Sequence, residues 1–154
     1  IILYLIGPMI TASYIFFSSL KNKQNHELVL KISLVALATI GLVCFALYQY
    51  LSLPVIHILF GTKFNAIAPV LGLASIFGSL YASTTLINNY FLSKKSVFSL
   101  MPILAGLIYA PVLYFFGRSM QNLIVINISI GGLLLILQIG CLLKYNTDNG
   151  KRKK

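Results

Sequence analysis

The chain has 154 residues, of which 58% are hydrophobic and 9% charged, and its mean hydropathy is +0.92. Soluble domains carry roughly a quarter charged residues, so this composition excludes an ordinary soluble protein and predicts an integral membrane protein. The net charge of +10 does not indicate nucleic-acid binding, because the cations lie only in the gaps between apolar runs. Basic gaps facing anionic lipid explain them, and the lipid bilayer is the expected partner.

The apolar runs are long and continuous, which is typical of helices that cross a membrane rather than of alternating strands. A bilayer core of about 30 Å takes about 20 helical residues. The sequence therefore predicts an all-α fold, a polytopic transmembrane bundle over residues 1–144 with a basic cytoplasmic tail over residues 145–154. Five spans are predicted, at residues 1–20, 28–50, 66–93, 97–117 and 122–143.

The first half of the chain carries one proline inside a span and one broken segment. Pro8 removes a backbone hydrogen bond from span one, so we expect a kink there and name it a hinge candidate. His26 follows in a polar stretch and is expected to be solvated. Residues 51–65 are apolar but interrupted by Pro54 and Gly61, and they are predicted to form an interfacial segment or a bent continuation of span two.

Span three, residues 66–93, is the longest of the predicted spans and contains no charged residue. Asn65 is placed to cap its N-terminus, and Pro69 fits a first turn where backbone donors are spare. Small residues at every fourth position allow helix backbones to approach closely in lipid. Two such series occur here: Ala74, Gly78 and Ala82, and Ser75, Ser79 and Ser83.

A polar patch near the end of span three contains Asn88 and Asn89, after Thr84 and Thr85. These side chains are expected either to bond neighbouring helices or to line a water-filled path. Asn127 and Gln138 in span five are further candidates for a substrate path.

Span four contains a second hinge candidate. Pro102 fits its first turn, but Pro111 is interior and frees the carbonyl of Leu107. Transporters tolerate such breaks where packed protein or a cavity satisfies the backbone.

The distribution of lysine and arginine predicts a topology. Successive gaps carry 3, 1, 2, 1 and 5 of them, where the first count includes Lys31 at the start of span two. Placing the richer gaps inside puts ten of twelve cations in the cytoplasm. The C-terminus is then cytoplasmic and Ile1 lies at the outer face. This arrangement suits the last five spans of a longer protein, whose N-terminal helices would be a further partner.

The sequence carries no recognisable set of catalytic residues. Its only acidic residues, Glu27 and Asp148, fall in a loop and in the tail, and no metal-ligand spacing, Ser/His/Asp set or phosphate-binding glycine loop is present. Cys44 and Cys141 fall inside predicted spans and are expected to be apolar thiols. We therefore expect neither enzyme activity nor a metal or other cofactor.

The segment LFGTKFNAIA at residues 59–68 joins an apolar approach, a Leu-Phe-Gly turn and a small-residue helix start. Its loop motif, Gly61, Lys63 and Phe64, resembles that of the polysaccharide-biosynthesis flippases, in the superfamily that also holds multidrug and toxin extrusion transporters. The segment NNYFLSKK at residues 88–95 resembles the end of the following helix in that family. The likeness covers nearly the whole chain, as the family's C-terminal part.

This resemblance implies a bundle of about 12 to 14 spans around a central cavity, in a bacterial cytoplasmic membrane. Such proteins move lipid-linked oligosaccharide from the inner to the outer leaflet by alternating access. The family's charged cavity residues have no match here. Two alternatives stay open: a multidrug exporter of the same superfamily, and a non-transporting membrane scaffold for a glycan-assembly complex.

Overall fold

A computed structural model of the chain describes residues 12–15, 17–18 and 23–151, and all of its regular elements there are helical. Residues 12–15 and 17–18 form short helical pieces. Two short 3₁₀ helices, Thr62–Ile67 and Val97–Leu100, precede the third and fourth of the five α-helices. The α-helices are α1 (Lys23–Tyr50), α2 (Ser52–Phe60), α3 (Ala68–Ser93), α4 (Met101–Phe116) and α5 (Met120–Lys151).

Four helical segments in the described part of the chain are long and apolar enough to cross a membrane: His26–Tyr50, Thr62–Ser93, Val97–Phe116 and Met120–Tyr145. They confirm the all-α prediction and correspond to the last four predicted spans. The first predicted span falls largely outside the described residues, and its hinge candidate Pro8 lies wholly outside them. The last helix, α5, runs to Lys151 and so continues past residue 143, where the fifth span was predicted to end.

Helix α3 is the centre of the bundle, with α1 and α5 packed against it. Helix α1 runs antiparallel to α3, because Gly41 lies against Ser79 while His26 lies beside Lys94. Helix α5 runs parallel to α3. Gly131 faces Leu80, and further along both helices the rings of Tyr145 and Phe91 are 6.4 Å apart.

The buried core lies toward the end of α3 that leads into Lys94 and Lys95, here called the basic end. Aromatic rings fill it: Phe17 meets Tyr90 edge-on at 5.8 Å, and Phe91 contacts Phe98 at 5.6 Å. The core members are all apolar or aromatic, and they come from residue 17, α1 and α3: Phe17, Leu30, Leu37, Ala82, Leu86, Ile87, Tyr90 and Phe91.

His26 is buried against this core, and the prediction that it is solvated was wrong. Its side chain is only 3% exposed, its ring stacks on Phe17, and its Nδ1 accepts a hydrogen bond from Lys94 Nζ at 3.0 Å. The residues next to His26 in the sequence are polar and do not indicate burial. The imidazole is buried because the ring of Phe17, which precedes α1 in the chain, covers it. The contact also brings the first basic gap beside the turn after α3, so those two cation-rich gaps share the basic end. The side of the membrane that this end faces stays a prediction.

The segment between α1 and α3 is a bent continuation of α1. Helical hydrogen bonds cross the junction, from Leu51 N to Leu47 O and from Val55 N to Leu51 O. The chain then turns at Gly61, whose φ of 78° is the left-handed conformation that glycine adopts most readily. This confirms one of the two structures expected for the segment.

The prediction that Asn65 caps the N-terminus of the span-three helix was wrong. Helix α3 begins at Ala68 after the 3₁₀ helix, with no side-chain cap at Ile67, and Asn65 Oδ1 instead accepts a hydrogen bond from His57 Nε2 at 2.8 Å. The hydrogen bond from His57 in α2 thus engages the side-chain oxygen that would otherwise cap α3. Pro69 does lie in the first turn of α3, as predicted.

The close approach of α1 to α3 depends on Gly41, which packs against Ser79 of the serine series. A Cβ added at Gly41 would lie 2.2 Å from Ser79 Oγ and 2.7 Å from Ser79 Cβ. Ser79 Oγ is held by its own helix, donating to Ser75 O at 3.0 Å. Gly78 and Ala82 are buried, whereas Ala74 is exposed.

Gly41→Ala should loosen the α1–α3 interface, because the new methyl group cannot fit without separating the helices. We expect the free energy of unfolding to fall by about 1–3 kcal/mol, measured as a lower midpoint of thermal unfolding in detergent. Gly132→Ala is the matched control, since a Cβ there meets nothing within 4 Å. A Gly41→Ala, Ser79→Gly double variant should recover the loss; equal midpoints for Gly41→Ala and Gly132→Ala would contradict the packing argument.

Candidate functional site

A cleft of about 520 Å³ lies between α3, α4 and α5. It exists because α4 packs against α5 and stands away from α3. The lining is mostly apolar, with six side chains that carry polar groups: Tyr81, Thr84, Thr85, Asn88, Tyr109 and Asn127. On α3 the lining runs from Phe77 to Asn88, at least five residues from either end of the helix, whereas on α4 it begins at Pro102 in the first turn. If α3 crosses a bilayer, as its length and hydropathy allow, this part of α3 lies within the hydrocarbon.

Asn88 presents an acceptor at the end of the cleft nearest the basic end. Its Oδ1 is buried, and no described residue gives it a hydrogen bond. The two threonines one turn earlier have their protons occupied, because Thr84 and Thr85 both donate to Tyr81 O, at 2.9 and 2.8 Å. The α3 wall also carries the Tyr81 hydroxyl and the Asn88 NH₂ group, so it offers both acceptors and donors.

Asn127 and Tyr109 link the other two walls. The Tyr109 hydroxyl donates to Asn127 Oδ1 at 2.5 Å, which joins α4 to α5. The carbonyl oxygen of Asn127 keeps a second lone pair, and its NH₂ group is a donor. Asn127 can therefore both accept hydrogen bonds from a ligand and donate to it.

The chemistry of this site is that of uncharged hydrogen bonding. None of the described lining residues is charged, and the described residues contain no cluster of three His, Cys, Asp or Glu side chains that could hold a metal ion. Amide and hydroxyl groups suit a ligand that both donates and accepts hydrogen bonds. They offer no formal charge to neutralise a diphosphate or a cation.

The structure brings together two of the four substrate-path candidates. Asn88 and Asn127 line the same cleft, on α3 and α5. Asn89 does not line it, and its Nδ2 donates to Ser13 Oγ at 3.3 Å, away from α4. Gln138 is fully buried on α5, and neither its Nε2 nor its Oε1 has a partner among the described residues.

The hinge candidate and the loop motif lie apart from the lining. Pro111 is inside α4, as predicted, and is exposed two residues beyond Tyr109. Gly61, Lys63 and Phe64 lie in the turn before α3, at the end of the bundle opposite the basic end, with both side chains exposed. The roles proposed for them as hinge and loop stay predictions.

Sequence reasoning missed Tyr109 and Tyr81, which supply the phenol groups of the cleft. A signal was available for Tyr109. It lies in the middle of a predicted span, whereas tyrosines of membrane helices concentrate near the interfaces. A phenol at that depth needs a polar partner, and here Asn127 provides it.

Comparison with protein-family models, with curated proteins and with solved structures finds no match to this chain. The function therefore has to be argued from the site itself and from the resemblance in its sequence.

Tyr109→Phe should separate α4 from α5, because it removes the hydroxyl and leaves Asn127 Oδ1 without that donor. We expect a loss of about 1 kcal/mol in the free energy of unfolding, seen as a lower thermal midpoint in detergent. Tyr114→Phe on the same helix is the matched control, since Tyr114 is 83% exposed. Equal midpoints for the two variants would show that the Tyr109–Asn127 bond does not hold the cleft walls.

Proposed function

We propose that this chain is the C-terminal, five-span part of a flippase that translocates lipid-linked oligosaccharide for cell-surface polysaccharide biosynthesis. It would act in a bacterial cytoplasmic membrane, with its C-terminus in the cytoplasm and with further N-terminal helices completing the bundle. The observation that carries the proposal is the uncharged, hydrogen-bonding cleft at hydrocarbon depth between α3, α4 and α5. The resemblance around Gly61 and at residues 88–95 points to the same family.

The cleft meets the physical demand of moving a sugar across a membrane. A sugar's hydroxyl groups each lose several kcal/mol of hydrogen bonding on entering hydrocarbon unaided. Asn88, Asn127 and the threonine oxygens provide replacement partners at that depth. The apolar lipid chain needs no such partners and can stay beside α4, whose residues Met101–Phe116 include no buried side chain.

The packing also supports movement of one wall. Helix α4 is held by α5 rather than by α3, and its interior Pro111 interrupts the helical hydrogen bonding at Leu107 O. Tilting α4 would widen or narrow the cleft without disturbing the α1–α3 packing. Alternating access requires such a bistable wall.

A multidrug exporter is the alternative that an observation favours. Phe77 and Tyr81 give the cleft an aromatic wall, which suits flat apolar drugs as well as it suits sugar rings. The absence of a carboxylate among the described lining residues speaks against cationic drugs, so neutral compounds are the discriminating substrates. Efflux of neutral dyes without movement of glycolipid would favour the exporter, and neither activity would favour the scaffold.

Asn88→Leu should slow transport, because it removes the unpartnered acceptor of the cleft while keeping a side chain of similar size. We expect a reduction of about tenfold, as for loss of one or two hydrogen bonds in a dry site. The measurement is transbilayer movement of an isoprenoid-diphosphate-linked oligosaccharide in proteoliposomes, detected by its exposure to an added glycosidase.

Asn89→Leu is the matched control for that experiment, because the neighbouring asparagine bonds Ser13 and does not line the cleft. We expect it to change the amount of folded protein more than the transport rate per molecule. Wild-type transport by a normally inserted Asn88→Leu protein would remove Asn88 from the substrate path.

A further inference from the structure

Gln138 is the most completely buried polar side chain of α5, at 0% exposure, and both of its polar side-chain atoms lack partners in the described structure. It lies on the face of α5 that packs on α3, since Leu135 and Leu142 on that face contact the core cluster. A primary amide can make up to four hydrogen bonds, and leaving them unmade in a dry interface is unfavourable. The unmade hydrogen bonds of Gln138 therefore destabilise the closed packing of α3 on α5.

Gln138 lies at the same depth as Asn88, whose Oδ1 is also buried without a partner among the described residues. Because α3 and α5 are parallel and Gly131 faces Leu80, positions can be counted from that contact. At about 1.5 Å per residue, Gln138 lies roughly 11 Å beyond Gly131 and Asn88 roughly 12 Å beyond Leu80. Gln138 and the unpartnered Oδ1 of Asn88 therefore lie at the same depth, level with the end of the cleft nearest the basic end.

Helical spacing connects Gln138 to the lining of the cleft. Asn127, Gly131 and Leu134 line it from α5, and Gln138 is the next position of that stripe, one turn beyond Leu134. The stripe is exposed to the cleft as far as Leu134 and is enclosed by α3 at Gln138. Separation of α3 and α5 at this depth would extend the cleft by one turn.

We propose that Gln138 is an occluded hydrogen-bonding position of the cleft. When α3 and α5 separate beyond Leu134, Gln138 and Asn88 together bind an uncharged hydroxyl- or amide-bearing group, such as a sugar of the transported glycan. The ligand assignment rests on the proposed function, whereas the opening of the interface rests only on the burial and the unpartnered atoms. Closing leaves the Gln138 amide and the Asn88 Oδ1 without partners again, which favours release.

The native thiol of Cys141 reports the opening. Cys141 is partly buried and packs against the core cluster three residues beyond Gln138, and a thiol reacts with a maleimide as the hydrated thiolate. The experiment uses the whole protein in membrane vesicles, with its other cysteines replaced by serine, and measures the rate of alkylation by N-ethylmaleimide. Transport of the isoprenoid-diphosphate-linked oligosaccharide is measured on the same variants.

Gln138→Met keeps the length and shape of the side chain but removes the hydrogen-bonding groups that oppose closure. We expect alkylation of Cys141 to slow by about tenfold, the thermal midpoint to rise, and transport to fall. Gln121→Met, the same change at an exposed glutamine of α5, should alter none of the three. Should Gln138→Met fail to reach the membrane, Gln138→Leu makes the same test.

The outcomes separate the parts of the proposal. Unchanged alkylation in both Gln138 variants would overturn it and make Gln138 a static packing residue. Slower alkylation with transport at the wild-type rate would overturn the ligand-binding position. Slower alkylation in a protein that moves no glycolipid even without substitution would support the opening and contradict the proposed function.

Discussion

The approach of α1 to α3 at Gly41 and Ser79 is the contact on which the rest of the bundle depends. Helices in lipid gain nothing from burying apolar surface against each other, so backbone proximity and van der Waals packing must hold them together. The absent side chain of Gly41 and the small Ser79 allow that proximity. With α1 packed on one side of α3 and α5 on another, α3 positions both of these helices, and α5 in turn positions α4.

The cleft exists because α3 does not pack against α4. Its contacts with α1 and α5 leave α4 supported by α5 and by the Tyr109–Asn127 hydrogen bond. The Tyr109–Asn127 hydrogen bond thus attaches α4 to α5 at one point, and the cleft lies beside that attachment. The exposed apolar surface of α4 is compatible with lipid or with further helices, and both would leave the polar side of the cleft facing inward.

The sequence predicted the helices well because lipid solvation acts along a continuous run of residues. Four predicted spans reappear, and Pro69, Gly61 and Pro111 occupy the positions expected for them. Contacts between distant residues were beyond such reasoning. The ring of Phe17 covers His26, and His57 bonds Asn65, and neither partner is marked by local pattern. Asn88 and Asn89 show the same limit, since adjacent residues of one polar patch face different helices.

Uncharged polar groups are the physically economical lining for a cleft at this depth. A buried charge would require a partner or a shifted protonation state, and it would bind counter-charge too firmly for repeated release. An amide is costly to leave unpaired, but only by an amount comparable to a few hydrogen bonds. That cost is large enough to favour a hydroxyl-bearing group that supplies the missing hydrogen bonds, and it involves no charge that would hold such a group in place. The asparagine and glutamine side chains of α3 and α5 are therefore consistent with the transport path proposed above.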